Sequence, residues 1–454
     1  MRRHSLIARL GPRDATAVPL QMSGSRETEI RFIAGDRRLG FGLGDMIDRL
    51  ATRGILPSET AADLVILAAC VTAADTRIER AADAQDGWTR EIDLHIPVQD
   101  AALWTRLAPS LSRLLKFLTG DHWRPFFRER HRDYAQLIVR PRNLIRPTVS
   151  SVCLFSGGLD SFIGAIDLFA ARQSPLLVSH YWELSTSSQE LCASRIGSVY
   201  GAMPSRHVRT RVGFDANDFS HEMGTESTTR GRSFLFFALA ALAASGLDGQ
   251  PTIYVPENGL ISLNVPLDPL RVGAWSTRTT HPFYMERWQD LVNQLGIGAE
   301  LVNPYRFKTK GEMVAECANQ NLVRRFSSET ISCSSIAKAR WKGLAPGHCG
   351  FCVPCLIRRA ALAAALGADR TVYTIENLRA QPLNSKSPEG EHVRAFQMMA
   401  RRLRRSPVLA KMLVHKSGPL SAYGAGEIEQ YADVFRRGIA EVEAITRRVV
   451  VAPQ

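Results

Sequence analysis

Ser150-Ser151-Val152-Cys153-Leu154-Phe155-Ser156-Gly157-Gly158-Leu159-Asp160-Ser161-Phe162-Ile163-Gly164 sets a glycine turn between two apolar segments. Residues 152–155 are a short apolar run of the kind that forms a buried strand. From Phe162 to Phe169 the apolar residues return at helical spacing. A glycine-rich turn between a strand and a helix is a seat for an anion. Glycine lets the backbone approach the anion without a Cβ clash. The helix start turns N–H groups and the positive end of its dipole towards it. A plain structural βα turn is the competing reading. Ser-Gly-Gly turns are common, but six residues Ser-Gly-Gly-Leu-Asp-Ser in this setting are not.

The Gly-Lys-Ser/Thr ending of a Walker A loop is missing, and so is the Rossmann pattern G-x-G-x-x-G. The loop instead resembles the PP-loop, S-G-G-x-D-S, of the ATP pyrophosphatases. That resemblance implies a loop that holds the β- and γ-phosphates. ATP would be split between its α- and β-phosphates to adenylate a substrate.

With 454 residues the chain is long enough for two or three domains and a large core. Lysine and arginine number 57 against 44 acidic residues, a formal charge of +13. Such a balance suits a polyanionic partner such as ATP, RNA or an acidic protein face. A solvated arginine-rich surface explains it equally well. The eight cysteines show no disulfide framework, and no signal peptide opens the chain, so a cytoplasmic protein is expected. No apolar run reaches the length of a membrane span, and residues 234–245 read as a buried core helix.

Residues 1–148 read as an extra N-terminal α+β domain, without a chemistry to name. Residues 61–72 and 101–119 are helix-like, and 92–98 alternate as a strand. Trp88, Trp104, Trp123, Phe126 and Phe127 suit a partner surface, but core is the commoner place for such residues. Asp75, Asp121 and His122 stand out as polar residues. A proline-bracketed connector, 140–147, marks the boundary.

Residues 149–310 alternate strand and helix, which predicts a parallel α/β sheet. The strands are expected at 152–155, 176–179, 207–212 and 252–255. Helices are expected from Ser161, over 188–200 and over 232–244. In open parallel sheets, ligands bind beyond the carboxyl ends of strands. This rule gathers Ser156–Ser161, His180, Glu257 and Asn258 around one crevice, although a loop cap is the commoner role for each alone. Residues 256–282 form a long segment that reads as a substrate lid or a surface excursion. Lys310, at a helix start, is placed to reach phosphates.

Cys333, Cys349, Cys352 and Cys355 follow the spacing C-x15-C-x2-C-x2-C. Four thiolates around one tetrahedral centre suit Zn²⁺, and a closed four-cysteine site folds the chain rather than catalyses. An iron–sulfur cluster or a redox pair are the alternatives, and His348 is adjacent and able to compete. Cys70, Cys153, Cys192 and Cys317 read as core.

A PP-loop followed by Cys349-Gly350-Phe351-Cys352-Val353-Pro354-Cys355-Leu356-Ile357-Arg358 resembles the 7-cyano-7-deazaguanine synthase (QueC) family. The resemblance covers about residues 150–362, with Arg232-Ser233 where the family has Arg-Asn and Pro304 with Lys310 where it has Pro and Lys. It implies a PP-loop fold that binds ATP and adenylates the carboxylate of 7-carboxy-7-deazaguanine for attack by ammonia. The amide is then dehydrated to a nitrile with a second ATP. Phe155, Ser156, Gly157, Gly158, Leu159, Asp160 and Ser161, with His180, Arg232, Glu257 and Asn258, would bind the cofactor. Asp160, Ser161 and Lys310 would be catalytic, with Mg²⁺ at Asp160.

The chain also departs from the family. Its Tyr-Gly-Gln-Arg-His text is here Ser179-His180-Tyr181-Trp182-Glu183. The 1–148 segment and the helical extension 366–454, with helices expected over 389–414 and 427–449, are additions to the 149–365 domain. This layout is similar to the enlarged QueC-like proteins of Qat-type anti-phage systems. The likeness implies an amine on a partner protein from the same operon as a possible acceptor. A tRNA-modifying PP-loop enzyme holding RNA and a non-enzymatic scaffold are the other function classes.

Overall fold

The computed structural model describes residues 3–20, 24–35, 38–84, 86–139, 147–181, 186–201, 203–268, 278–334, 336, 343 and 347–453. Residues 140–146 of the expected connector, Trp182-Glu183 and residues 269–277 of the long 256–282 segment lie outside them.

The N-terminal part runs β1 (Arg3–Arg9), β2 (Arg26–Arg31), α1 (Leu43–Ala51), α2 (Glu59–Arg77), α3 (Arg80–Asp83), β3 (Glu91–Val98), α4 (Ala101–Thr119) and β4 (His122–Glu129). Its strand order is β2-β1-β3-β4, and each pairing is parallel. The expected α+β arrangement is thus corrected to a parallel α/β layer. The sequence does not announce β1, β2 and β4, whose arginine, glutamate and histidine residues hide the period of two. Charges on the outer face pair instead of facing water alone, Arg9 with Glu29 at 2.6 Å and Arg128 with Asp14 at 2.9 Å. Ser58 caps α2 by accepting from the Ala61 N–H at 3.2 Å, and Asp100 caps α4 through the Leu103 N–H at 2.8 Å.

The middle part runs β5 (Ser151–Leu154), α5 (Leu159–Ala170), β6 (Pro175–His180), α6 (Thr186–Tyr200), α7 (Met203–Arg206), β7 (His207–Thr210), α8 (Arg232–Ala244), β8 (Thr252–Tyr254), α9 (Gly259–Leu263), α10 (Pro282–Gln294), β9 (Glu300–Val302), α11 (Lys310–Glu316) and α12 (Gln320–Phe326). Its five strands lie in the order β7-β6-β5-β8-β9, all parallel. The chain builds outwards from β5 to β7, then returns to the other side of β5 with β8. The order reverses there, so a crevice opens beyond the carboxyl ends of β5 and β8. The third strand stops at Thr210, short of the expected 212.

The last part holds α13 (Val353–Leu366), β10 (Leu383–Asn384), α14 (Pro388–Arg405), α15 (Leu409–Leu413), α16 (Ala425–Thr446) and β11 (Val451–Ala452). The helix expected over 389–414 is divided into α14 and α15, because Pro407 cannot continue a helix.

Helix α2 packs on α8 and α4 on α10, so helices separate the two sheets. One apolar core runs through them, from Leu94 past Leu67 and Leu239 to Val152 and Ile253. The far face of the second sheet has its own core, with Phe155, Leu159, Ile163, Leu177 and Met313. Trp104 and Trp123 are buried, and Trp88 lies under the Arg230 guanidinium at 3.9 Å. No described helix is long and apolar enough to cross a membrane.

Asp75 and Asp121 find their role at the junction of the layers. Asp121 accepts from Arg80 at 2.6 Å and Arg90 at 2.7 Å, and Arg90 also reaches Asp75 at 2.7 Å. The other Asp75 oxygen accepts from the N–H groups of Arg230 and Gly231, both at 2.6 Å, just before α8. His122, by contrast, is exposed. Removing one member of a buried charge network leaves its partners unpaired in a medium of low polarity. Asp121→Ala is expected to cost about 3–5 kcal/mol in urea unfolding. A loss under about 1 kcal/mol would mean that the arginines re-pair with water at little cost.

Candidate nucleotide site and four-cysteine centre

Beyond β5 the Phe155 N–H still donates to the Val178 carbonyl at 2.8 Å, and then the chain turns. Gly157 has φ +78°, a region L side chains rarely adopt. A Cβ there would stand 2.8 Å from Ser188 Oγ at the start of α6. At Gly164 a Cβ would meet Pro256 Cγ at 2.4 Å, so only glycine lets α5 lie this close to the turn after β8. That approach brings Asp160, in the first turn of α5, against Glu257 and Asn258.

Ser156 Oγ accepts from the Gly158 N–H at 3.2 Å and lies 3.1 Å from Ser161 Oγ. Ser161 Oγ donates to the Gly158 carbonyl at 3.1 Å. Gly158 is the N-cap residue of α5 and offers no side-chain cap. The side chains of Phe155 and Leu159 point into the core, Phe155 with its ring 5.5 Å from His207, so only their main chains are left to reach a ligand.

Asp160 is the centre of the crevice. Its Oδ1 is ion-paired with the buried Lys310 ammonium. Its Oδ2 accepts from Asn258 twice, from Nδ2 at 2.8 Å and from the main-chain N–H at 3.1 Å. Burial alone would raise the Asp160 pKa, but Lys310 and the hydrogen bonds from Glu257 and Asn258 outweigh it and hold the pKa below the usual carboxylate range. Glu257 moves the other way. Burial, then the Asp160 charge beside it, push its pKa well above the ordinary value.

The sign of the Glu257 shift gives a test. A carboxyl whose folded pKa is raised loses stability as pH climbs from its unfolded value towards its folded one. Glu257→Gln mimics the protonated acid and escapes that loss. The Tm advantage of the variant over the parent, in magnesium-free buffer, is expected to grow from pH 5 to pH 8.5. Parallel Tm profiles would mean that Glu257 ionises freely.

His180 ends β6, buried, and its Nε2 donates to the Val212 carbonyl at 3.2 Å. Burial, then the charge of Arg232, drop its pKa to about 3, so it is a neutral ring that shapes the crevice wall. Arg232 opens α8 and reaches solvent, yet the crowding around its guanidinium lowers its pKa. Asn303 ties the floor together, accepting from the Glu257 N–H at 3.4 Å and donating to the Glu257 carbonyl at 2.9 Å. Beside it a cavity of about 480 Å³ is lined by Ser262, Thr280, Glu286, Asn303, Arg306 and Tyr423 among others. A larger cavity, about 960 Å³, lies in the N-terminal layer between residues 56–59 and 132–139, away from the loop.

Lys310 is held from behind by the tail. Thr309 caps α11, accepting from the Glu312 N–H at 3.1 Å, while Glu312 accepts from the Thr309 N–H at 2.9 Å. Thr309-Lys310-Gly311-Glu312 is a capping box that the sequence displays. The Thr309 hydroxyl donates in turn to Glu441 of α16, and Arg437 of α16 donates to Glu312 and, at 2.9 Å, to the Phe307 carbonyl. Residues 125 to 132 positions away thus set the Lys310 helix, and nothing local in the sequence announces Glu441 or Arg437.

The four cysteines come together as their spacing predicts. All four are buried, and their sulfurs lie within 4.8 Å of one another. Cys333 Sγ is 3.8 Å from Cys352 Sγ, and Cys349 Sγ is 3.9 Å from Cys355 Sγ. A tetrahedral zinc with bonds of about 2.3 Å requires sulfur–sulfur edges of about 3.8 Å. A disulfide would need about 2.05 Å. The N–H of Cys349 donates to Cys333 Sγ at 3.4 Å and that of Cys352 to Cys349 Sγ at 3.3 Å, the bonds a thiolate centre needs around its sulfurs. Four buried sulfurs in this array form a site able to hold a metal ion such as zinc. His348 does not compete for it, because its Nε2 accepts from the Ser332 N–H at 3.2 Å. Cys70, Cys153, Cys192 and Cys317 are buried apart from it, and burial pushes the Cys192 thiol up to about 12.

Compared with protein-family models, curated proteins and solved structures, the chain matches none.

Proposed function

We propose that this chain is an ATP-dependent, AMP- and pyrophosphate-forming carbon–nitrogen ligase of the 7-cyano-7-deazaguanine synthase type. One observation carries the reading. At the reversal point of a parallel sheet, a Ser-Gly-Gly-Leu-Asp-Ser loop leads into α5, and Asp160 there meets Lys310, Glu257 and Asn258.

ATP would lie with its β- and γ-phosphates over Ser156–Ser161. The first N–H groups of α5 face that place without a cap from Gly158. Lys310 would share its ammonium between Asp160 and the phosphates. Asp160 and Glu257 would offer carboxylate oxygens to Mg²⁺, whose charge would favour the ionised form of Glu257 and would neutralise the departing pyrophosphate. A substrate carboxylate oxygen attacks the α-phosphorus, the α–β P–O bond breaks, and pyrophosphate leaves with the electron pair. An amine nitrogen then attacks the acyl carbon and AMP departs, forming an amide. A 7-deazaguanine carboxylate is the proposed substrate, and the cavity beside Asn303 and Arg306 is of a size to take a bicyclic base. Ammonia or an amine on a partner protein, within an anti-phage system, is the proposed acceptor. Zinc in the four-cysteine centre would have a structural role.

Sulfur transfer to tRNA would call for a reactive cysteine at the crevice. The eight cysteines are all buried, and burial raises the thiol pKa values of Cys153 and Cys192.

The test is pyrophosphate release from ATP with 7-carboxy-7-deazaguanine, with and without ammonium, following the base by mass spectrometry. Conversion to amide or nitrile is the result of a synthase. Release without a free amide points to a macromolecular amine. ATP binding without release would remove the deazaguanine substrate from the reading.

A further inference from the structure

The segment that leads into the four-cysteine centre touches the glycine loop. The Ile331 N–H donates to the Gly157 carbonyl at 2.9 Å. Ser332 Oγ accepts from the N–H of Leu159, the first residue of α5, at 3.4 Å. It also accepts from Arg358 NH1 at 3.4 Å. A Cβ on Gly158 would stand 3.3 Å from the Ile331 carbonyl oxygen and 3.8 Å from Ser332 Oγ, so nothing separates the two segments.

Apart from Leu159, the groups that place Ser332 adjoin the cysteine centre in sequence. Ser332 itself precedes Cys333. His348, which accepts its N–H, precedes Cys349. Arg358 sits one turn after Cys355 on α13, is fully buried, and is fixed by Thr330 Oγ1 at 2.7 Å and Thr371 Oγ1 at 3.1 Å.

A serine hydroxyl has two lone pairs and one hydrogen. In Ser332 both lone pairs accept, from Leu159 and Arg358, which leaves the hydrogen to donate. The hydroxyl stands at the start of α5, where Gly158 supplies no side-chain cap and the helix N–H groups and positive dipole end favour an anion. A nearby buried guanidinium adds to that preference.

We propose that Ser332 donates a hydrogen bond to the nucleotide phosphate at the start of α5, and that the four-cysteine centre holds it in place to do so. The proposal rests on the nucleotide reading of the loop and adds a binding residue to it.

The experiment uses the full chain with its metal content measured. A non-hydrolysable ATP analogue is titrated by calorimetry into the parent, Ser332→Ala and Ser332→Thr. Amide exchange of the 157–161 peptide is read on the same three proteins without nucleotide. Expected are an affinity loss of about tenfold or more in Ser332→Ala, recovery in Ser332→Thr, and faster exchange at 157–161 in Ser332→Ala with metal content unchanged. Equal affinities for parent and Ser332→Ala would overturn the proposal. A parent that binds no analogue would instead bring down the nucleotide reading, while the exchange arm still reports whether Ser332 holds the loop.

Discussion

Under the proposed ligase reading, Lys310→Met and Asp160→Asn are each expected to cut pyrophosphate release by about 100- to 1,000-fold, the size of effect seen when one preorganised charge is removed from a transition state. The two single variants are expected to differ from the double variant in stability. Lys310 and Asp160 are both buried and ion-paired, with Asp160 also accepting from Asn258. Lys310→Met strands a carboxylate beside the raised-pKa Glu257 and is expected to cost about 3 kcal/mol or more. The double variant Asp160→Asn/Lys310→Met removes both charges and is expected to recover most of that stability, with no recovery of activity. Urea unfolding and pyrophosphate release on the same four proteins separate the effects. A double variant as unstable as Lys310→Met would mean that the pair is not coupled. Single variants with parental release rates would place the chemistry elsewhere.

Half of the site is legible in the sequence, and the division has a physical cause. The loop Ser156–Ser161 is local: a short apolar strand, two glycines and a helix start sit within fifteen residues, so the pattern declares itself. Glu257 and Asn258 were reachable through a general rule, because strand ends in a parallel sheet converge. Cys349, Cys352 and Cys355 declare themselves by spacing, and Cys333 follows from the need for a fourth sulfur. Ser332, Asn303 and Glu441 were not legible. Their roles depend on contacts with residues tens to more than a hundred positions away, and a lone serine, asparagine or glutamate has no local signature for that. The N-terminal sheet was hidden for a different reason. Its outer face is covered by ion pairs such as Arg9 with Glu29, so alternation between apolar and charged residues is blurred, and only β3 reads clearly as a strand. The Asp75–Asp121 network shows the same limit, since two carboxylates mean little until the arginines they face are known.

Metal removal is expected to have the largest effect on the fold. Cys349, Cys352 and Cys355 belong to the same apolar core as Leu356, Tyr373, Phe396, Tyr431 and Phe435. That core joins α13 to α14 and α16, and α16 in turn holds Thr309 and Glu312 beside Lys310. Binding of zinc to four thiolates is worth about 10–16 kcal/mol at neutral pH, as much as the whole stability of an ordinary domain. A chain stripped of metal by a strong chelator is therefore expected to lose the C-terminal core in a separate, earlier melting transition. Cys352→Ala is expected to do the same and to bind less than one equivalent of metal, measured by atomic emission. Cys70→Ala serves as the control, because that buried thiol lies in the N-terminal core away from the centre. It is expected to lower Tm modestly through lost packing, with metal content and the number of transitions unchanged. A chelated protein that melts as the parent does would mean that the four thiols hold this core by packing alone. In that case the link from the cysteine centre to Lys310 would pass through the apolar contacts of α13 and α16, and Cys352→Ala would leave pyrophosphate release intact.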